Sequence, residues 1–218
     1  NFAANGLMKT KSIFSGKAIA GLGSAKCTNE EAFLFQKLMR QVFNTNNVDH
    51  CTRLCHASSV AALMEGIGSG AVTIPFTAAE DSECIILIGA NPEKNHPVAS
   101  TFLKNAAKKG TKLIVLDVVK QNLMRYASHG LVFYPGTDVS LLNAMIYTII
   151  EEELYDKDYI KTFTEGFEDL KSSIKLYSPE KMEKICKVSS KHIREIARVY
   201  SKSSKSIIFW GMGISQHI

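Results

Sequence analysis

Residues 47 to 60 crowd two thiols, two imidazoles, a guanidinium and a carboxylate into one short span: Asp49, His50, Cys51, Arg53, Cys55 and His56. The small polar run Ala57-Ser58-Ser59 follows directly and reads as a helix start. Each of those groups needs a partner if buried, so a core segment does not spend residues this way. Three chemistries fit. The stretch can be a solvated turn whose cysteines are small hydrophobes. It can be a zinc site, for which Cys-x3-Cys with flanking histidines is tolerable spacing, although no second ligand pair stands out. Or Cys55 is a single reactive or metal-bound thiolate, favoured by His56 beside it and by the helix N-terminus just after. The local residues leave the first and third open.

The elements that must position this stretch come in two parts. Lys17 to Gly23 reads as a short buried strand, and Thr28 or Asn29 caps a helix with Glu30 and Glu31 in its first turn. Phe33, Phe35, Leu38, Met39, Val42 and Phe43 give that helix a broad apolar face, and Asn44 to Asn47 stop it. Val60 to Met64 continue a short helix beyond the cysteines. Gly66-Ile67-Gly68-Ser69-Gly70 is a loop, read equally well as a phosphate cradle or as a turn that permits close packing.

Strands then alternate with helices. Cys84–Ile88, Lys112–Leu116, Leu131–Tyr134 and Ser206–Trp210 are apolar runs of the kind covered on both faces of a sheet. Helices are expected at 97–109, 139–152, 157–163, 167–177, 179–184 and 190–201, the last capped by Ser189 or Ser190. That order implies an α/β protein with a mostly parallel, doubly wound sheet and helices on both faces. In such sheets ligands bind beyond the carboxyl ends of the strands. Here four strands end in Gly89-Ala90-Asn91-Pro92, Asp117, Pro135-Gly136-Thr137-Asp138 and Gly211-Met212-Gly213. Glycine admits backbone amides to phosphate; Asn, Thr and Asp bond ribose and base, and a carboxylate can accept from both donors of a guanine edge. One such loop is an ordinary turn; four at one edge point to a nucleotide. No G-x-G-x-x-G follows the first strand, which disfavours a plain NAD site.

The net charge of +5 is mild, and no basic run resembles a nucleic-acid arm. Five cysteines without framework spacing point to a reducing compartment and a cytoplasmic location. No segment is long and apolar enough to span a membrane.

Several stretches together resemble the catalytic alpha subunit of molybdenum or tungsten formate dehydrogenases, in the superfamily of bis-molybdopterin-guanine-dinucleotide oxidoreductases. They are 23–31 (GSAKCTNEE), 44–51 (NTNNVDHC), 53–61 (RLCHASSVA), 89–97 (GANPEKNHP), 135–138 (PGTD), 141–145 (LLNAM), 149–156 (IIEEELYD), 164–168 (TEGFE) and 210–217 (WGMGISQH). The resemblance covers nearly everything after Ser15. Its most specific item is the Cys-His pair in Arg-Leu-Cys-His-Ala, which separates formate dehydrogenases from most relatives.

The resemblance implies a Rossmann-like fold and places Cys55 at the metal-ligand position, held by cysteine or selenocysteine, with His56 taking or relaying the proton. It implies that Gly89, Ala90, Asn91, Asn95, His96, Asp117, Gly136, Thr137, Asp138, Gly211, Met212, Gly213 and Gln216 wrap the guanine dinucleotide ends of the pterin cofactor. Formate would be the substrate, and iron-sulfur or diaphorase subunits the electron partners. The motif for a [4Fe-4S] cluster would precede residue 1, and an arginine that holds formate would follow Ile218. The chain is therefore expected to be an internal part of a larger multidomain subunit, binding none of these groups by itself. Val118-Val119 stand where many relatives carry Pro-Arg. A domain division is expected near His50, with residues 1–50 a leading strand-helix unit of a neighbouring α/β domain and 51–218 the dinucleotide-binding part. Another member of the superfamily, such as a nitrate reductase or the large subunit of a respiratory NADH dehydrogenase, and a non-catalytic assembly module are the competing readings.

Overall fold

A computed structural model describes residues 1–217 of the chain. They group into two compact units, Asn1–Gly70 and the residues from Ala71 onward. The division expected near His50 falls inside the first unit, because His50 ends a strand paired with that unit's other strand.

The first unit begins with helix α1 (Phe2–Phe14), for which the residues gave no expectation. Strand β1 (Gly21–Gly23) pairs in parallel with β2 (Val48–His50). Helix α2 (Asn29–Lys37) lies between them in sequence and opens with a capping box: Thr28 accepts from the Glu31 N–H, and Glu31 accepts from the Thr28 N–H. Two expectations are corrected here. The stretch 17–23 is not one buried strand: Gly16–Ala18 forms a 3-10 turn, and Leu22 is exposed in a strand of three residues. The apolar face expected on α2 is only partly used. Met39 and Phe43 are buried with Ile19, while Phe33, Leu38 and Val42 are exposed. The helix widens into a π-turn over Leu38–Val42, which breaks the 3.6-residue period on which a continuous face depends. Two short helices follow, α3 (Thr52–Cys55) and α4 (Ala57–Ile67). Gly68 ends α4 at φ 71°, so the glycine-rich segment begins as a helix C-cap rather than a phosphate cradle.

The second unit is built on four parallel strands: β3 (Cys84–Ile88), β4 (Lys112–Asp117), β5 (His129–Val132) and β6 (Ser206–Trp210), in the order β5-β4-β3-β6. Successive side chains of a strand point to opposite faces, and both faces are dry in the central strands β3 and β4, whereas the edge strands β5 and β6, expected to be covered likewise, leave Val132, Ile208 and Trp210 exposed. Ile86, Ile88, Ile114 and Leu116 pack with Leu141, Ile193 and Ile196 from helices α7 (Asp138–Glu151) and α11 (Ser190–Lys202), joined by Met182 of α10 (Pro179–Cys186). Ile85, Leu87, Leu113 and Val115 pack on the other side with Leu103 and Ala106 of α6 (Pro97–Lys109) and with Leu123. Full burial of each such side chain contributes about 1.5–3 kcal/mol, which is why the central runs are continuous rather than alternating.

Helix α5 (Pro92–Asn95) precedes α6; α8 (Lys157–Phe163) and α9 (Phe167–Ser173) connect α7 to α10; α12 (Met212–Ser215) follows β6. Outside the sheet Arg194 pairs with Glu151 and Glu180, and Arg198 with Glu152, tying α11 to α7 and α10. Strand β5 lies two residues earlier than expected. The Phe133 N–H still donates to Asp117 O of β4 (3.1 Å), and the chain then leaves the sheet, the Tyr134 N–H donating to Cys186 O of α10 (2.9 Å). Among the described residues no helix is long and apolar enough to cross a membrane.

Candidate functional site

The strand order decides where a ligand can enter. The chain runs outward from β3 through β4 to β5, then returns to place β6 on the other side of β3. The order therefore reverses between β3 and β6, and the edge beyond their carboxyl ends is the switch point at which open parallel sheets bind ligands. The register sets Ile88 opposite both Leu116 and Trp210, so Gly89, Asp117 and Gly211 follow side by side on one edge.

At that edge backbone meets backbone. The Gly89 N–H donates to Leu116 O (3.1 Å), Gly211 N–H to Ile88 O (3.3 Å) and Gly213 N–H to Gly89 O (3.0 Å). Gly89 has φ 57°, which favours glycine, and a Cβ on Gly211 or Gly213 would stand 2.8 Å from atoms of the Gly89-Ala90 loop. The glycines are there because nothing larger fits between the two loops.

Beside them lies Asp117, nine-tenths buried at the end of β4. Its Oδ1 accepts from the Val119 N–H (3.2 Å) and its Oδ2 from Gln121 Nε2 (2.7 Å). The same Nε2 donates to Ala90 O (3.0 Å). Two acceptors nearby, Asn91 Oδ1 and Gln121 Oε1, are buried without a hydrogen-bond partner. At the end of β5, Thr137 Oγ1 donates to Tyr134 O (2.5 Å), and Asp138, 3% exposed, starts α7. His217 Nε2 sits 3.3 Å from Asp138 Oδ1 and 2.8 Å from Gly213 O, so the β5 and β6 loops also meet. Met212 opens α12, Gln216 follows it and is exposed, and Asn95 and His96 are exposed at the turn between α5 and α6.

The edge thus gathers Gly89, Ala90, Asp117, Gly211 and Gly213 by hydrogen bonds or close approach, with Asp138 joined to Gly213 through His217, and Asn91 following Ala90 in the chain. Asn95 and His96 stand further along the β3 loop. Gln121 and His217 were not among the expected site residues. A glutamine four places past a strand-end carboxylate was the available signal for the first.

Cys55 and His56 belong to the first unit. Cys55 ends α3, with its N–H donating to Cys51 O (2.9 Å), and His56 occupies the cap position that opens α4. The thiol therefore immediately precedes a helix N-terminus, as the sequence required. Asp49 pairs with Arg53, and the His50 N–H with the Arg53 guanidinium holds its carboxyl below the usual range. His50 Nδ1 accepts from the Thr52 N–H (3.1 Å) and lies 3.8 Å from Cys51 Sγ. Among the described residues no group of three or more His, Cys, Asp or Glu side chains is arranged to hold a metal, which removes support from a zinc site here. A lone thiolate completing a coordination sphere supplied by another group does not need such a cluster.

The sequence profile of the molybdopterin oxidoreductase family matches residues 3–218. The F420-dependent formate dehydrogenase subunit alpha of Methanocaldococcus jannaschii is 41% identical over 198 residues, 91% of this chain and 29% of its own length. Formate dehydrogenase H of Escherichia coli is 38% identical over 217 residues, 99% of this chain and 30% of its own. Among solved structures, acetylene hydratase from Pelobacter acetylenicus superposes with a TM-score of 0.80 at 27% identity, over 98% of this chain and 29% of that one. The chain spans about 30% of the length of these two formate dehydrogenase relatives.

Proposed function

Proceeding from the molybdopterin oxidoreductase family, to which this chain belongs, we propose that it is part of the catalytic subunit of a formate dehydrogenase. The reaction converts formate to carbon dioxide with release of one proton and two electrons. The observation that carries the reading is the pair Cys55-His56, placed directly before the first turn of α4, in a chain whose relatives in several organisms are named formate dehydrogenases.

The residues present fit the family's cofactor. Gly89, Gly211 and Gly213 put no side chain at the strand edge, which would leave backbone open to a phosphate-bearing chain, and Asp117, Asp138 and the orphaned acceptor Asn91 Oδ1 offer acceptors to ribose and guanine donors. Bound bis-molybdopterin guanine dinucleotide, carrying molybdenum or tungsten, supplies the chemistry by accepting the two electrons. This chain's own residues bind and orient. Gly89, Ala90, Asn91, Asn95 and His96 would line one loop around the dinucleotide, Asp117, Gly136, Thr137 and Asp138 two more, and Gly211, Met212, Gly213 and Gln216 the fourth. The Cys55 thiolate would be the protein ligand to the metal, and His56 would receive the proton released from formate.

A [4Fe-4S] cluster and iron-sulfur or diaphorase subunits would carry the electrons onward, and five cysteines that form no disulfide favour a cytoplasmic setting. The β1–β2 pair of the first unit would belong to a neighbouring α/β domain. Formate-dependent dye reduction by the full-length subunit, with metal analysis, tests the reading. Metal with no formate oxidation would favour another member of the family, and a metal-free, cofactor-free subunit would favour an assembly module.

A further inference from the structure

Asp117 is a buried carboxylate for which no ion pair occurs among the described residues. Charge so placed is retained by hydrogen bonds. Two are supplied locally, from the Val119 N–H and from Gln121 Nε2. An ionised carboxylate has about four acceptor positions, so roughly two remain for donors from outside the protein. A cis-diol of a ribose brings two O–H donors. In doubly wound sheets the acidic residue that ends the strand next to the glycine loop is placed for such a group. Asp117, whose neighbour β3 carries Gly89, has that position.

Gln121 decides how the carboxylate is held. Its Nε2 donates at once to Asp117 Oδ2 and to Ala90 O, so the loop after β4 and the loop after β3 share one amide group. Both partners are oxygens, which fixes the amide orientation: the reverse assignment would set Oε1 against two acceptors. Gln121 is 5% exposed, and its Oε1 is buried without a partner. A side chain that leaves one of its own polar atoms unsatisfied at this depth is not there for its own stability. The turn after Asp117 is Val118-Val119-Lys120, and Lys120, its basic residue, makes no ion pair with Asp117 among the described residues. The glutamine orients the carboxylate without cancelling its charge.

We propose that Gln121 is a positioning residue of the nucleotide site, clamping Asp117 to the Ala90 carbonyl so that the carboxylate faces the ribose hydroxyls of a guanosine nucleotide. The inference rests on the strand-edge site of the proposed function. The test uses the full-length subunit freed of cofactor, titrated with GDP and with 2′,3′-dideoxy-GDP. Gln121→Met keeps length and volume and removes the donor. It is expected to weaken GDP binding roughly tenfold or more, the scale of a hydrogen bond to a charged group, and to erase the preference for GDP over the dideoxy probe. Asp117→Asn is expected to do the same, and the double variant no more than either alone. If Gln121→Met does not fold, Gln121→Glu makes the same test, since it keeps the shape and sets an oxygen against both acceptors.

A melting temperature that falls with GDP affinity and sugar preference intact would overturn the proposal and leave Gln121 a structural clasp. Loss of GDP binding in Asp117→Asn but not in either Gln121 variant would overturn it too, with the nucleotide site standing. Unchanged binding in Asp117→Asn would instead overturn the strand-edge site itself.

Discussion

Gly213 donates its backbone N–H to the carbonyl of Gly89 across 3.0 Å, so the loop leaving β6 rests on the loop leaving β3. A Cβ on Gly213 would come 2.8 Å from Gly89 Cα and its carbonyl oxygen. Because both partners are backbone, neither can step aside as a flexible side chain would. Gly213→Ala should therefore force the loops apart, costing about 1–3 kcal/mol in the way overpacked sites do. In the full-length subunit the guanine nucleotide recovered per polypeptide should fall. Unchanged stability and unchanged nucleotide content would show that the crevice is not held by this contact.

Cys55 and Cys51 lie one helical turn apart, yet only Cys55 directly precedes α4. Serine at 55 would exchange a soft thiolate for a harder oxygen donor, and formate oxidation should collapse. Guanine nucleotide content should largely survive, since the strand-end loops are the proposed anchors. Cys51→Ser, at an exposed position, should cost far less. Equal and mild effects of the two substitutions would return this stretch to a plain solvated turn.

His56→Ala in the full-length enzyme should leave the metal content intact and slow turnover by roughly 10²–10⁴-fold, the range for losing a positioned acid–base group. The measurement is kcat beside metal per subunit. Loss of the metal together with activity would make His56 a structural rather than a proton-handling residue.

Glu152 carries a pH prediction. Its hydrogen bond to Arg198, with the charges of Arg198 and Arg194, holds its carboxyl below the usual 4.5. A carboxylate whose folded pKa is depressed stabilises the fold above its unfolded value and loses that stabilisation as pH falls through the folded one. The melting temperature of Glu152→Gln should therefore lie below that of the wild-type protein near pH 7. The gap should close as the pH drops below about 4.5, the value from which the group is displaced. A gap that stays constant from pH 7 to pH 3 would mean the pairing contributes nothing.

Much of this was legible in the residues. Apolar runs at 84–88 and 112–116 read as strands covered on both faces, and β3 and β4 are so; the run at 206–210 is a strand as well, but it lies at the sheet edge and leaves Ile208 and Trp210 exposed. Helix α6 falls on the expected 97–109, since Pro97 can start a helix and Gly110 can end one without strain. The cap of α11 by Ser189, whose side chain accepts from the His192 N–H, was equally readable. Short-range chemistry determines these features, and the sequence states it directly. What only the tertiary structure decided is which strand ends lie side by side. Gly89 and Asp117 are 28 positions apart and Gly89 and Gly211 are 122 apart, and strand order alone makes them neighbours. Nothing local to Gln121 says that its amide meets Ala90 as well as Asp117; the pairing of β3 with β4 brings them together. The exposed Leu38 and Val42 teach the reverse: an apolar face in sequence says what could be buried, and the π-turn they lie in changes how much of it is. Propensity acts over a few residues, whereas register and close approach depend on partners that the local sequence does not contain.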